Sequence, residues 1–277
     1  MPSNDIREYG RHYKSLFLKF IALMVSQEVE DDILADEERS IIDDFGSQWI
    51  FHHGSNSEFF KSKVEKIFAL MLKRAAHIFS PGSNIPIEID HKQWKEQFLN
   101  PHYRNEDWTN FDPEILWNAL VDAYHGDAGL EIGYQQSADA LVKFFDIRPE
   151  NPVTIKAGNV VLESSAQLDW MTKKWDRISR FGWETVRDTI KGLEHLKAFA
   201  VWADEADFAD GIKEFSVWLD RNERLPVTSR QKHPMGPTAS VSLFHFKLEY
   251  RLKPELAQQL QLFLSTFSTV LRDREAA

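Results

Sequence analysis

The fourteen residues from Arg221 to Pro234, Arg-Asn-Glu-Arg-Leu-Pro-Val-Thr-Ser-Arg-Gln-Lys-His-Pro, concentrate positive charge in a chain whose net charge is -10. Arg221, Arg224, Arg230 and Lys232 are side chains that pair with phosphate oxygens, arginine in a two-pronged fashion. A second cluster, Lys173, Lys174 and Arg177, with Arg180 just beyond, interleaves with Trp170, Trp175 and Phe181. Cations attract a nucleic-acid backbone whatever its sequence, and exposed indoles offer faces on which bases stack. These seven cations are the expected contact surface for DNA, RNA or another acidic partner. The plainer reading is a solvated loop plus a helix whose aromatics turn inward. Asp169, Asp176, Asp220 and Glu223 dilute both clusters.

Other groupings carry other chemistry. Glu88-Ile89-Asp90-His91-Lys92 has the letters of a metal-dependent nuclease, in which carboxylates hold a divalent ion and a lysine helps position water. Asp90, however, stands where a short helix should begin and is expected to cap it. Tyr124-His125-Gly126-Asp127 sets a carboxylate two residues from an imidazole, an acid–base arrangement. Read as a helix end with Gly126 in the left-handed conformation, it needs no chemistry. His52 and His53 diverge in either a helix or a strand, so they read as packing and surface residues. None of the 10 histidines has His-x-x-x-His spacing. With Cys 0, disulfides, thiolate metal sites and a cysteine nucleophile are excluded. No phosphate-binding loop, dinucleotide glycine pattern or Gly-x-Ser-x-Gly turn is present. The sequence therefore favours a binding protein with no metal site and no cofactor. A metal-dependent nuclease or another enzyme is the alternative. A further alternative comes from Glu28 to Asp44, which holds nine Asp or Glu. Such a run can imitate a phosphate backbone and act as an acidic inhibitor, although a solvated helix face has the same composition.

The elements that must position these residues follow from periodicity. Tyr9, Tyr13, Leu16, Phe17, Phe20, Leu23 and Met24 recur at helical steps over residues 5–26. Ser57 is the expected cap of a helix over 58–79, ended by Ser80-Pro81-Gly82-Ser83-Asn84. Asp112-Pro113-Glu114 starts another, with Ile115, Leu116, Ala119, Leu120 and Ala123 as its stripe. Gly126 to Gly133 reads as a break, followed by a helix over 137–145. From Pro149 the texture becomes β-rich. Val153 to Leu162 carries a hairpin turn or bulge at Gly158-Asn159. Residues 183–200 read as a helix and Phe215 to Leu219 as a short strand. Val241 to Leu252 alternates as one strand, with Ser242, Phe244, Phe246, Leu248, Tyr250 and Leu252 on its buried side. Pro254 opens a last helix running to Leu271.

The expected fold is α+β and predominantly helical: an acidic helical region over 1–147 and an α+β region over 148–277. Residues 1–147 hold 14 Lys or Arg against 25 Asp or Glu, net -11, and residues 148–277 hold 19 against 18, net +1. Nucleic acid is thus expected to meet the second region, and a protein partner the helical one. The apolar stretch Leu16 to Val25 is interrupted by Lys19 and is too short to span a bilayer, and no secretory leader is visible. A cytoplasmic protein that does not engage membrane is the expectation.

Ile155-Lys156-Ala157-Gly158-Asn159-Val160-Val161-Leu162 resembles the opening strand of an uncharacterised bacterial domain family. Phe246 to Leu256, with its basic-aromatic strand end and proline-started helix, is similar to that family's closing element. Ile89 to Trp94 and the helix from Pro113 to Tyr124 match the order of its upstream helices, and the likeness spans about residues 85–270. The family is carried on prophages and genomic islands, near DNA-modification or toxin–antitoxin genes. The resemblance implies a mobile-element or phage-defence setting and brings no catalytic residue with it.

Overall fold

The computed structural model describes residues 6–26, 57–80, 85–99, 111–148, 154–166, 183–221, 230–244 and 246–275. Helix α1 (Glu8–Ser26) buries the stripe Tyr13, Leu16, Phe17 and Phe20. Helix α2 (Ser57–Phe79) buries Val64, Ile67, Phe68, Met71, Leu72, Ala75 and Phe79. Ser57 is its first residue rather than a cap outside it. Helix α3 (His91–Phe98) begins where Asp90 Oδ1 accepts from the Lys92 and Gln93 N–H groups at 2.8 and 3.2 Å. Asp112 does the same for helix α4 (Pro113–Tyr124), accepting from Glu114 and Ile115. Both aspartates satisfy first-turn donors that have no partner inside the helix. The buried face of α4 is Leu116, Trp117, Leu120 and Val121, and Ile115 is exposed. The stripe is rotated from its expected position because Trp117, the largest apolar side chain, turns inward and its indole N–H donates to the Ile6 carbonyl at 2.7 Å. The acidic run 28–44 and His52-His53 lie outside the described residues.

These helices belong to the first of two compact units, Met1–Phe79 with Glu88–Gly129; the second is Ser80–Ile87 with Leu130–Ala277. Helix α5 (Asp127–Phe144), which belongs to the second unit from Leu130 onward, passes through Gly129 and Gly133, so the expected break shrinks to Gly126, at φ 74°. The His125 N–H closes α4 on the Val121 carbonyl, and Asp127 is exposed, which is helix-end geometry. Strands β1 (Thr154–Lys156) and β2 (Asn159–Ser165) form a hairpin about Ala157 and Gly158, at φ 50° and 78°. Two successive left-handed residues are what a two-residue hairpin with matching twist requires. Helices α6 (Trp183–Trp202) and α7 (Ala206–Arg221) follow.

Residues 215–219, expected as a strand, lie inside α7. Phe208, Ile212, Phe215 and Leu219 are its buried apolar side chains at steps of four, three and four, a helical period that a five-residue window hides. Strands β3 (Lys232–Met235), β4 (Ala239–Leu243) and β5 (Lys247–Leu252) complete the sheet. Its order is β1-β2-β5-β4-β3, antiparallel throughout. The expected single strand over 241–252 is therefore a hairpin, with Leu243 paired to Leu248. That odd offset reverses the inward parity across the connection. Leu248, Tyr250 and Leu252 face the core as expected, but in β4 it is Ala239, Val241 and Leu243 that do so. Helices α8 (Pro254–Phe267) and α9 (Thr269–Glu275) divide what reads as one helix. Ser268 and Thr269 donate to the Asp139 carboxylate at 2.7 and 2.6 Å, which holds the break against α5. The described residues thus give an α+β fold, predominantly helical, with one small antiparallel sheet.

Candidate functional site

Register divides the side chains of the sheet into two chemically different faces. One carries Leu162, Met235, Ala239, Val241, Leu243, Leu248, Tyr250 and Leu252 into a core shared with α5, α6, α7 and α8. The other follows from the complementary pairs: Val161 beside Arg251, Glu163 beside Glu249, Ser165 beside Lys247, Ser240 beside Arg251, and Ser242 beside both Glu249 and Lys232. Lys156, paired to Asn159, projects from this face too. None of these residues belongs to the shared core.

A network of charges ties the polar face together. Lys156 Nζ donates to Glu249 Oε2 at 2.7 Å. Arg251 donates to Glu249 Oε1 through Nε and Nη2, at 2.9 and 2.7 Å. Lys247 Nζ donates to Glu163 Oε1, and Lys156 Nζ lies 4.0 Å from the same oxygen. The Glu249 side chain is only 3% exposed, whereas Lys156 and Arg251 are 42% and 36% exposed. Burial would raise the Glu249 carboxyl, but the hydrogen bonds from Lys156 and Arg251 outweigh it and hold the group below its ordinary value.

Removing the Glu249 charge tests that balance. Glu249→Gln is expected to cost about 1.5–3 kcal/mol, the range for hydrogen bonds to a charged group. The cost stays below that of breaking a fully buried pair, because half-exposed Lys156 and Arg251 can turn to water. The folded value lies below the unfolded one, so the stabilisation is complete above the ordinary glutamate range, about 4.3, and is lost as pH falls through the folded value. Urea melts of both proteins at neutral pH and at about pH 3 should show the difference shrinking at the lower pH. An equal difference at both pH values would assign the cost to shape rather than charge.

The cations singled out from the sequence are distributed as follows. Lys232 is the first residue of β3, exposed on the polar face next to Ser242. The segment 232–234, expected as loop, is strand, and the loop leaves a helix, α7, rather than a strand. Arg230 is exposed at φ 68°, and its N–H donates to the Leu243 carbonyl at 2.7 Å. Arg221 is exposed at the end of α7. None of the three forms an ion pair among the described residues. Arg224, Lys173, Lys174 and Arg177, with Trp170 and Trp175, lie outside the described residues. The structure adds Lys156, Lys247 and Arg251 to the set. For the last two the signal is their alternation along β5.

Phe246 was expected on the buried side of a strand; it stands in the β4–β5 connection and is 70% exposed. The reversal of parity at that connection is the cause. Its carbonyl accepts from the Ala166 N–H at 2.9 Å, and the Phe244 N–H donates to the Lys247 carbonyl at 2.9 Å. Lys247 Nζ lies 5.8 Å from the centre of the Phe244 ring. The Leu243 N–H donates to the Gln231 carbonyl, so Arg230, Phe246, Lys247 and the end of β2 share one end of the sheet.

No family model, curated protein or solved structure matches the chain. Among the described residues, no group of three His, Asp or Glu could hold a metal ion. Asp90 serves as the α3 cap, the role that its position predicts. His233, on the core face of β3, packs against Trp218 and Phe215 with ring centres 4.2 and 5.3 Å away, and burial lowers its pKa. That is a packing imidazole. No described helix is long and apolar enough to cross a membrane.

Proposed function

We propose that the protein binds nucleic acid electrostatically through the polar face of its sheet and the basic residues leading into β3. One observation carries this reading. In a chain with a net charge of -10, one sheet face gathers Lys156, Lys232, Lys247 and Arg251 against two carboxylates, Glu163 and Glu249. Arg230 adds a cation at the end of that sheet. Phosphates attract such a surface without regard to base sequence. The charge of the whole chain opposes the approach and lowers the association rate. Binding is therefore weak and steeply dependent on salt. The mobile-element or phage-defence setting is supported by the resemblance over residues 85–270, and a nucleic-acid ligand suits it.

Fluorescence anisotropy with labelled oligonucleotides at low and moderate salt tests the reading. Wild type should bind at low salt and release as salt rises. Replacing Arg221, Arg230 and Lys232 together by Ala should weaken binding and lower the log–log salt slope by about 2 units, at roughly 0.7–0.9 per phosphate contact. Unchanged affinity and slope in the variant, or no binding by wild type at low salt, would overturn it.

A further inference from the structure

We infer that Glu163 is a built-in competitor for phosphate: its carboxylate occupies Lys247 in the free protein and is the group that a nucleic-acid strand displaces. This rests on the electrostatic reading above and adds how that surface is regulated. The two carboxylates of the polar face are held differently. Glu249 is buried and accepts once from Lys156 and twice from Arg251. Withdrawing those partners would leave a buried charge uncompensated, so this group stays in place. The Glu163 side chain is 43% exposed, and Lys247, which donates to it, is 38% exposed. Lys156 Nζ stands 4.0 Å from the same Glu163 oxygen, but its hydrogen bond goes to Glu249. Both ends of the Glu163–Lys247 pair reach water, and exposed pairs of this kind contribute little to stability. The pair can therefore open while the backbone ladder between β2 and β5 stays closed.

The register supplies a second argument. Glu163 lies directly opposite Glu249 across the β2–β5 seam. Like charges at opposed positions destabilise a sheet, so a neutral side chain at 163 would suit the fold at least as well. What the Glu163 charge does is neutralise Lys247. With Lys156 and Arg251 bonded to Glu249, Lys232 is then the cation of this face that has no ion pair among the described residues. A lone small anion must compete with a tethered carboxylate, whose effective concentration is on the order of mM. A strand held at Lys232 and Arg230 brings its further phosphates under the same tethered terms and can take Lys247 over.

The test is a gain of binding. Glu163→Gln keeps the shape of the side chain and removes its charge. It is expected to bind a labelled oligonucleotide about two- to fivefold more tightly than wild type at low salt, the fold-change that corresponds to opening an exposed ion pair. Its melting curve, followed by circular dichroism, should match that of wild type. In a Lys247→Ala background the gain should vanish, because the cation that Glu163 holds is gone. Asp210→Asn, which changes the net charge equally at an exposed position on α7, should leave affinity within error of wild type. Wild type that binds while Glu163→Gln binds no more tightly would overturn the competitor and leave the electrostatic reading standing. So would a gain that persists without Lys247, or an equal gain in Asp210→Asn, since either would trace the effect to overall charge. Absence of binding at low salt by both wild type and Glu163→Gln would overturn both readings.

Discussion

Trp117→Ala is expected to destabilise the first unit by about 3–5 kcal/mol, the range for deleting a large aromatic from a close-packed core. Trp117 is fully buried, with the Tyr9 and Phe79 rings 5.8 and 5.7 Å from its own. Its indole N–H holds the Ile6 carbonyl at 2.7 Å, fixing the chain just before α1 onto α4. The truncation thus leaves a cavity between α1, α2 and α4 and an unpaired carbonyl at its edge. Trp117→Phe keeps most of the packing but not the hydrogen bond, and should lose about half as much. Urea melts followed by circular dichroism measure both. A loss below about 1 kcal/mol for Trp117→Ala would mean that the helices do not meet around this ring.

Gly211→Val is expected to cost about 3 kcal/mol, the upper end for overpacking. A Cβ at position 211 would lie 2.5 Å from Met235 Cα, 2.6 Å from Met235 C and 2.7 Å from Gly236 N. These are backbone atoms, so no side chain can swing aside, and α7 must lift away from β3. Intrinsic helix preference favours valine over glycine by only a few tenths of a kcal/mol, far too little to compensate. Asp210→Ala, at an exposed neighbouring position, should change stability by less than about 0.5 kcal/mol. The affected strand carries Lys232 and follows Arg230, so Gly211→Val should also weaken any binding that depends on those cations. Thermal melts that leave Gly211→Val within error of wild type would show that α7 does not approach β3 so closely.

Local rules made part of this architecture legible. Asp90 and Asp112-Pro113 announce helix starts because the chemistry of a cap is confined to four residues. The inward set Leu248, Tyr250 and Leu252 follows from alternation alone. What failed were inferences that had to cross a connection. Alternation continued through residues 244–246 puts Phe246 inside, whereas the hairpin reverses parity and leaves it exposed. The strand assigned to Phe215–Leu219 failed because four apolar residues of a helix look β-like when only part of the period is in view. For the candidate site, the charge surplus before Pro234 was visible, but the Glu249 network was not. Lys156 meets Glu249 across 93 positions of sequence, through a register that no local pattern specifies.

The place of β5 between β2 and β4 has a consequence for how the chain assembles. The β1–β2 and β4–β5 hairpins close over a few residues each, so their pairing costs little loop entropy. The β2–β5 seam joins residues 82 to 92 positions apart, from Ser165 with Lys247 to Val160 with Leu252. Until that seam forms, β2 has hydrogen-bonding groups open along one side, and the intervening α6 and α7 must already be compatible with it. During synthesis β2 leaves the ribosome long before its partner does. The interval in which it is vulnerable to pairing with another chain is set by the translation of the residues that separate them.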